Sequence, residues 1–443
     1  MRLAAALRET AVHQTEGHFE TFARTLDPGW IQQALDRTGT ASIRRRKLPA
    51  DRVIWLVLGM GLLRDRSIRA VCDHLHLVLP PPDLSASRIE SSSLVEARDR
   101  LGVAPLQTLF ELLAEHEAGR PLPEESWRGL HLFGMDGSTF TVPDSEENRT
   151  AFDGPSSGTR GDGAYPQLRV VALMHLGSHR LRHVRIGSYR QGELTLADEL
   201  LPLLPAESLL LMDRGYACWS RLYQHGQRPE RHWLLRGKKN LKWSVTRTLG
   251  PGDALVDITF TAVARKACPD LPTTMPARVI AYQRPGHPPQ YLVTSLLDAQ
   301  KYPAAELVEL YHVRWEIELG LDEIKNHTLE REEALRSRTP ERVRQELYGL
   351  LVVYNLVRSE MTRIAQTLEV TPLRVSYRLS LLLMRNFWLS AWVVAAGRVP
   401  QHLEQLAADL QLLLLPKRRP RSNPRVVKVK MSSYPKKPRL SRA

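Results

Sequence analysis

The chain has 443 residues, with 62 Lys and Arg against 48 Asp and Glu, a formal net charge of +14 and a pI near 9.9. That length allows two or three domains with proper cores, and the basic balance calls for acidic partners, nucleic acid or an anionic membrane surface. Three widely spaced cysteines, Cys72, Cys218 and Cys268, argue against a disulfide scaffold and for a reducing compartment. The apolar runs "VIWLVLGMGLL" and "LYGLLVVYNLV" have eleven residues each, short of the roughly 18 to 20 that a membrane span needs. Arg2 and Arg8 flank only a few apolar residues, so no secretory leader is read. The expectation is a soluble cytoplasmic protein.

In chain order, residues 1–125 read as a helical domain suited to DNA binding, with amphipathic pieces at "WIQQALDRTG", "ADRVIWLVLGMGLL" and "SSLVEARDRLG" and a break at "LPPPDLSAS". Ser91 to Ser93 followed by Glu96 predict a capping box. The run "CDHLH" offers Cys72, His74 and His76 as ligands, but no second cluster of zinc spacing follows, and no zinc site is expected.

From about residue 128 the period changes from helical to alternating. "GLHLFGMDGSTFTV", "QLRVVALMHLG" and "HRLRHVRIG" read as three strands. "LTLADELLPLL" reads as a helix, "SLLLMD" as a buried strand, "CWSRLYQHG" as a helix and "RHWLLRGK" as a strand. The order is βββαβαβ, with Asp136 expected at the end of the first strand and Asp213 at the carboxyl end of the fourth, where open α/β sheets place ligand sites. After this first part of a core, residues 126–239, the pattern stays β over 240–300, with alternation in "VDITFTA" and a hairpin around Pro285 to Pro289.

Residues 301–415 read as helices. In "YHVRWEIELGLDEIK" (311–325), a helical turn of about 100° per residue aligns Leu310, Val313, Ile317, Leu321 and Ile324 as one apolar stripe. Tyr311, Arg314, Glu318 and Lys325 fall together along the edge of that stripe, while Glu316 and Glu323 are expected to face solvent. A charge-rich helix is ordinarily a solvated face. Here, however, one acid lies in line with two bases and a phenol beside the core. The last segment, 416–443, carries eleven Lys and Arg and no acid, leaving +3 of the +14 for the rest of the chain. It reads as a basic flexible tail that orders on a polyanion, or as a solubilising tail.

Asp136, Asp213 and Glu318, on two strand ends and one helix, could converge on divalent metal. Mg²⁺ prefers oxygen ligands, and two ions about 4 Å apart suit in-line phosphoryl displacement. Arg314 can then hold a phosphate by two parallel hydrogen bonds, Lys325 adds a point charge, and Tyr311 can donate to a phosphate or stack on a base.

With these residues in place, "GMDGSTFTVPDSEENRTAF", "LLMDRGYACWS" and Tyr311-x2-Arg314-x3-Glu318-x6-Lys325 resemble the three motifs of the insertion-sequence-4 family of bacterial DDE transposases. The resemblance implies an RNase H-like mixed-sheet core with a β-rich insertion and a helical C-terminal region, in a bacterial, nucleoid-associated enzyme. It implies Asp136, Asp213 and Glu318 as the catalytic, metal-binding triad for Mg²⁺, with two ions and Mn²⁺ able to substitute. It further implies that Tyr311, Arg314 and Lys325 touch the transposon end. The activity implied is metal-dependent strand cleavage at terminal inverted repeats and transfer to target DNA, with a hairpin end inferred from family membership alone, by a homodimer bridging two ends. Trp243 and Trp315 are candidates for holding a flipped base, against an ordinary core role. The competing readings are a decayed or domesticated, non-catalytic DNA-binding protein and a general metal nuclease.

Overall fold

The computed structural model describes residues 26–41, 47–75, 77–78, 89–155, 165–238, 241–283, 289–329, 334–390 and 410–416. The basic tail from 417 onward, the break at 79–87 and His76 lie outside the described residues.

The amino-terminal region is helical: α1 (Pro28–Arg37), α2 (Ala50–Leu62), α3 (Ile68–His74), α4 (Ser91–Leu101) and α5 (Ala104–Ala118). Helix α2 buries every residue from Val53 to Leu62, as a helix apolar on all sides must. It crosses α12 (Pro340–Thr367), the long helix that holds the other apolar run. The crossing is close because both helices present glycine. A methyl on Gly61 would stand 3.3 Å from Leu350 Cα, and one on Gly349 would stand 2.6 Å from Val57 Cγ1. The capping box does not form: α4 begins at Ser91 with Glu90 at its N-cap and no side-chain cap bond. A Ser93 cap would need the helix to start three residues later, at Leu94.

The centre is a ten-stranded sheet among the described residues. A two-residue strand β1 (Ser126–Trp127) pairs with β2 (Leu130–Thr141). Helix α6 (Glu146–Phe152), not anticipated from the sequence, follows β2. Then come β3 (Gln167–His175), β4 (Leu181–Ser188), α7 (Glu193–Leu200), β5 (Ser208–Met212), α8 (Trp219–Gly226) and β6 (Arg231–Arg236). The spatial order β4-β3-β2-β5-β6, antiparallel through β2 and parallel beyond it, is that of an RNase H-like core.

The insertion adds β7 (Trp243–Gly250), β8 (Asp253–Thr259), α9 (Ala262–Ala267), β9 (Thr274–Tyr282) and β10 (Gln290–Thr294). Its strands continue the same sheet, because β10 pairs antiparallel with β6 and β9, β8 and β7 follow outward. Two helices, α10 (Ala304–Val313) and α11 (Trp315–Asp322), then cross one face, and α12 and α13 (Tyr377–Ser390) follow.

Side-chain alternation along the strands divides the core in two. Leu132, Leu209 and Leu211 face the helical layer with Ile317 and Val353. Phe133, Met135, Leu210 and Met212 face α7 and α8 through Leu196, Leu200 and Leu222.

Candidate active site

Two parallel strands bring the first two acids together. Met135 of β2 pairs with Met212 of β5, so one further step places Asp136 beside Asp213 at the carboxyl edge of β5. Leu132 and Leu211 lie in the cluster that contains Ile317. Alternation therefore turns both aspartates toward the face that α11 covers, and the backbone at Asp213 is still extended, with φ −74° and ψ 160°.

Glycine sets how closely the third acid approaches. A methyl on Gly134, two residues before Asp136, would stand 3.1 Å from Ile317 Cβ and 2.6 Å from Leu176 Cδ2. One on Gly320 would stand 2.5 Å from the Met174 thioether. Helix α11 thus lies almost directly on the strand backbones, and Glu318 is carried to the strand ends. Tyr311 is buried, and its hydroxyl donates to Met212 O at 3.3 Å. This ties α10 to the residue immediately before Asp213.

The long helix expected at 311–325 is not continuous. Helix α10 ends at Val313, Arg314 serves as both C-cap of α10 and N-cap of α11, and residues Glu323–Thr328 form a π turn. Lys325 lies in that π turn, so the uniform turn that aligned it with Glu318 does not persist to its position. π turns recur at functional sites.

The local electrostatics are acidic with one strong base. Burial and the negative charges of Glu318 and Glu193 push the Asp136 carboxyl up to about 6, against the Gly137 amide, which donates to Asp136 Oδ1 at 2.8 Å and lowers it. Arg314 donates to Glu318 Oε1 at 2.9 Å, and its guanidinium lies 6.0 Å from the Tyr311 ring centre and 5.8 Å from that of Trp315. Burial lowers the Arg314 pKa, but Tyr311, Glu318 and Asp213 together raise it above the ordinary value.

Glu316 and Glu323 do not face solvent as expected. Glu316 Oε2 lies 3.0 Å from His179 Nε2, and Glu323 pairs with the buried Arg358 and accepts from the Tyr354 hydroxyl at 3.1 Å. Arg358 donates to His179 Nδ1 at 2.7 Å. That nitrogen must then carry a lone pair, leaving Nε2–H for Glu316. The helical wheel placed these acids off the apolar stripe correctly. It could not reveal that the 176–180 turn and α12 cover that side too.

Two sequence profiles match the chain: "Insertion element 4 transposase N-terminal" over residues 16–111 and "Transposase DDE domain" over residues 129–356. "Transposase InsG for insertion sequence element IS4" of Escherichia coli (strain K12) is 35% identical over 428 residues, 94% of each chain. The chain belongs to the insertion-sequence-4 family of DDE transposases. InsZ of the same strain is 35% identical over 223 residues, covering 50% of this chain and 73% of its own length. A solved piggyBac transposase synaptic complex with hairpin DNA is similar at TM-score 0.39 and 11% identity, over 84% of this chain and 78% of that one.

In this transposase Trp315 is 38% exposed and directly follows Arg314. Trp243 begins the outermost strand and packs against Tyr291, with ring centres 5.6 Å apart. Among the described residues no three His, Cys, Asp or Glu side chains are already gathered tightly enough to grip one ion. The donor chemistry nonetheless suits a hard cation, because the candidate ligands are all carboxylate oxygens and Asp136 lies near the negative charges of Glu318 and Glu193, with Arg314 the cation opposing them.

Sequence reasoning missed a second group behind Asp136. Glu193 at the start of α7 pairs with Arg169 of β3 at 2.6 Å, and its carboxyl carbon would lie 2.8 Å from a methyl on Gly137. Tyr216, three residues after Asp213, belongs to the same neighbourhood. The "DRGY" run falls within the second motif, yet nothing local distinguishes its tyrosine from a core aromatic. Among the described residues no helix is long and apolar enough to cross a membrane.

Proposed function

We propose that this transposase moves its own insertion sequence by cut and paste. It cleaves DNA strands at the element's terminal inverted repeats and joins the freed ends to target DNA. The observation that carries the reading is the strand register that sets Asp136 beside Asp213, under a helix seated on Gly134 that delivers Glu318.

Asp136, Asp213 and Glu318 would hold the divalent ions, two Mg²⁺ with Mn²⁺ as substitute. When bound, such ions activate the attacking oxygen and stabilise the leaving one. Arg314 engages Glu318 through Oε1 alone, so Oε2 would serve as the metal ligand while the guanidinium's remaining N–H groups take a phosphate. Lys325 adds charge against the flanking phosphates. Tyr311, with its hydroxyl on Met212 O, contributes by anchoring α10 and by framing Arg314 at the transposon end. Trp315 is the better placed of the two tryptophans to stack on a displaced base, as a hairpin step would require. Two copies bridging two ends would tie cutting to synapsis.

The test is strand cleavage of duplexes carrying the DNA that flanks this reading frame, with and without Mg²⁺. Asp136→Ala, Asp213→Ala and Glu318→Ala should each abolish cleavage while end binding persists. Nicking retained in all three variants would falsify the triad. Binding to those repeats with no cut by the wild type under any divalent metal would point to a decayed binding protein. Equal cutting of unrelated plasmid would indicate a general nuclease.

A further inference from the structure

One cluster of buried polar side chains surrounds the π turn that carries Lys325. The turn spans Glu323–Thr328 and follows α11 directly. Its bonds reach across five residues: the Leu329 amide donates to Ile324 O at 3.2 Å, and Thr328 Oγ1 donates to Glu323 O at 3.2 Å. Such a turn is wider than an α turn and rotates less per residue. The direction of Lys325 relative to Glu318 therefore depends on where the wide turn begins and ends.

Both ends are held by other helices. At the start, Glu323 pairs with Arg358 of α12 and accepts from the Tyr354 hydroxyl at 3.1 Å. At the end, Thr328 Oγ1 lies 2.7 Å from the hydroxyl of Tyr377, the first residue of α13. Thr328 has one proton and gives it to Glu323 O, so the Tyr377 hydroxyl is the donor in that pair. The two ties are joined in turn, because the Arg358 guanidinium lies 5.3 Å from the Tyr377 ring centre. Arg358, Tyr377 and Thr328 are all buried, where hydrogen bonds and charge pairs are strengthened by the low local dielectric. Between the ties Lys325 is half-buried, and among the described residues no carboxylate pairs with it. A cation held in place without an acid beside it suits an anion that arrives with a ligand.

We propose that Arg358 and Tyr377 are positioning residues for the transposon end: by gripping the first and last residues of the π turn, they fix the direction in which Lys325 meets a DNA phosphate. The inference rests on Lys325 being a contact to the transposon end.

The experiment measures binding of the full chain to duplexes carrying the DNA that flanks this reading frame, in a chelator so that no strand is cut, over a range of salt concentrations. Wild type is compared with Lys325→Ala, Tyr377→Phe and Arg358→Met, and Lys325→Ala is also combined with each of the other two. Tyr377→Phe removes one hydroxyl and keeps the ring against Arg358, whereas Arg358→Met keeps bulk and removes the grip on Glu323. Urea unfolding establishes which proteins are folded at the assay temperature. Lys325→Ala should lower the slope of log Kd against log salt by about 0.9, the share of one phosphate. Tyr377→Phe and Arg358→Met should lower it toward the same value. The combined variants should bind no more weakly than Lys325→Ala alone, because residues that act through one contact are not additive. A wild-type slope in folded Tyr377→Phe overturns the inference. So does a loss that adds in full to that of Lys325→Ala, the mark of a role in the fold alone. Should Arg358→Met not fold, Tyr377→Phe decides by itself. A wild-type slope in Lys325→Ala removes the phosphate contact, and this inference with it.

Discussion

Replacing Gly134 by alanine tests whether the seat of α11 on β2 sets the position of Glu318. The added methyl would meet Leu176 Cδ2 at 2.6 Å and Ile317 Cβ at 3.1 Å. Leu176 could rotate only within a fully buried site, and Ile317 Cβ is fixed to the helix backbone. The helix must therefore lift by a few tenths of an ångström. Overpacking of this kind costs about 1–3 kcal/mol, small enough to leave the fold standing. Since a shift of about 1 Å at a catalytic group can cost about 100-fold in rate, the smaller lift should cost roughly tenfold in cleavage. Gly320→Ala is the matched control. Its methyl would crowd the flexible end of Met174, at 2.5 Å, and make ordinary contact with the Tyr354 hydroxyl at 3.4 Å, and alanine gains about 1 kcal/mol of helix propensity over glycine. Urea unfolding followed by tryptophan fluorescence, together with cleavage of end-bearing duplexes, reads both quantities. If Gly134→Ala unfolds at the wild-type urea concentration and cuts at the wild-type rate, close packing of α11 does not position the acid.

Burial alone would raise the Glu323 carboxyl, but the charge of Arg358 and the hydrogen bond it donates hold it down at about 2, against an ordinary 4.5. A depressed carboxyl contributes stability that is complete above its unfolded pKa and is lost as pH falls through the folded one. About 3 kcal/mol should therefore disappear between roughly pH 5 and pH 2, and Glu323→Gln should flatten unfolding free energy over that window. An unchanged acid limb in the variant would refute the assignment. Glu346 is fully buried, accepts from Arg64 at 2.6 Å and from Ser337 Oγ at 2.6 Å, and joins α12 to the amino-terminal helices. Glu346→Ala strands Arg64 in the interior and should cost about 3–5 kcal/mol in chemical denaturation; a loss under about 1 kcal/mol would contradict that picture. Truncation after Leu415 removes eleven bases. It should weaken DNA binding regardless of sequence and flatten the dependence of log Kd on log salt by about 0.9 for each phosphate no longer neutralised, whereas an unchanged slope would make the tail solubilising.

Much of this was legible in the linear chain. The βββαβαβ order needs only strand alternation and helical spacing, because each element's buried face is written at its own period. Asp213 could be named from its place directly after a strand, whereas Asp136, expected at a strand end, lies in the middle of β2 because that strand runs on to Thr141 against β3. The fixed gaps from Tyr311 to Lys325 marked the helix carrying Glu318. The sequence also supported the family assignment through those motifs. Three things required tertiary structure. That the insertion prolongs the core sheet depends on β10 pairing with β6, a pairing between segments whose edges look alike in sequence. The burial of Glu316 and Glu323 depends on a layer contributed by α12 and the 176–180 turn, and one helix cannot announce what covers its far side. Tyr216, Glu193 and Arg169 gather behind Asp136 from three separate elements. Local propensity and periodicity act over a few turns, whereas a site is assembled by register and close approach between distant segments, and these are settled only when the whole core packs.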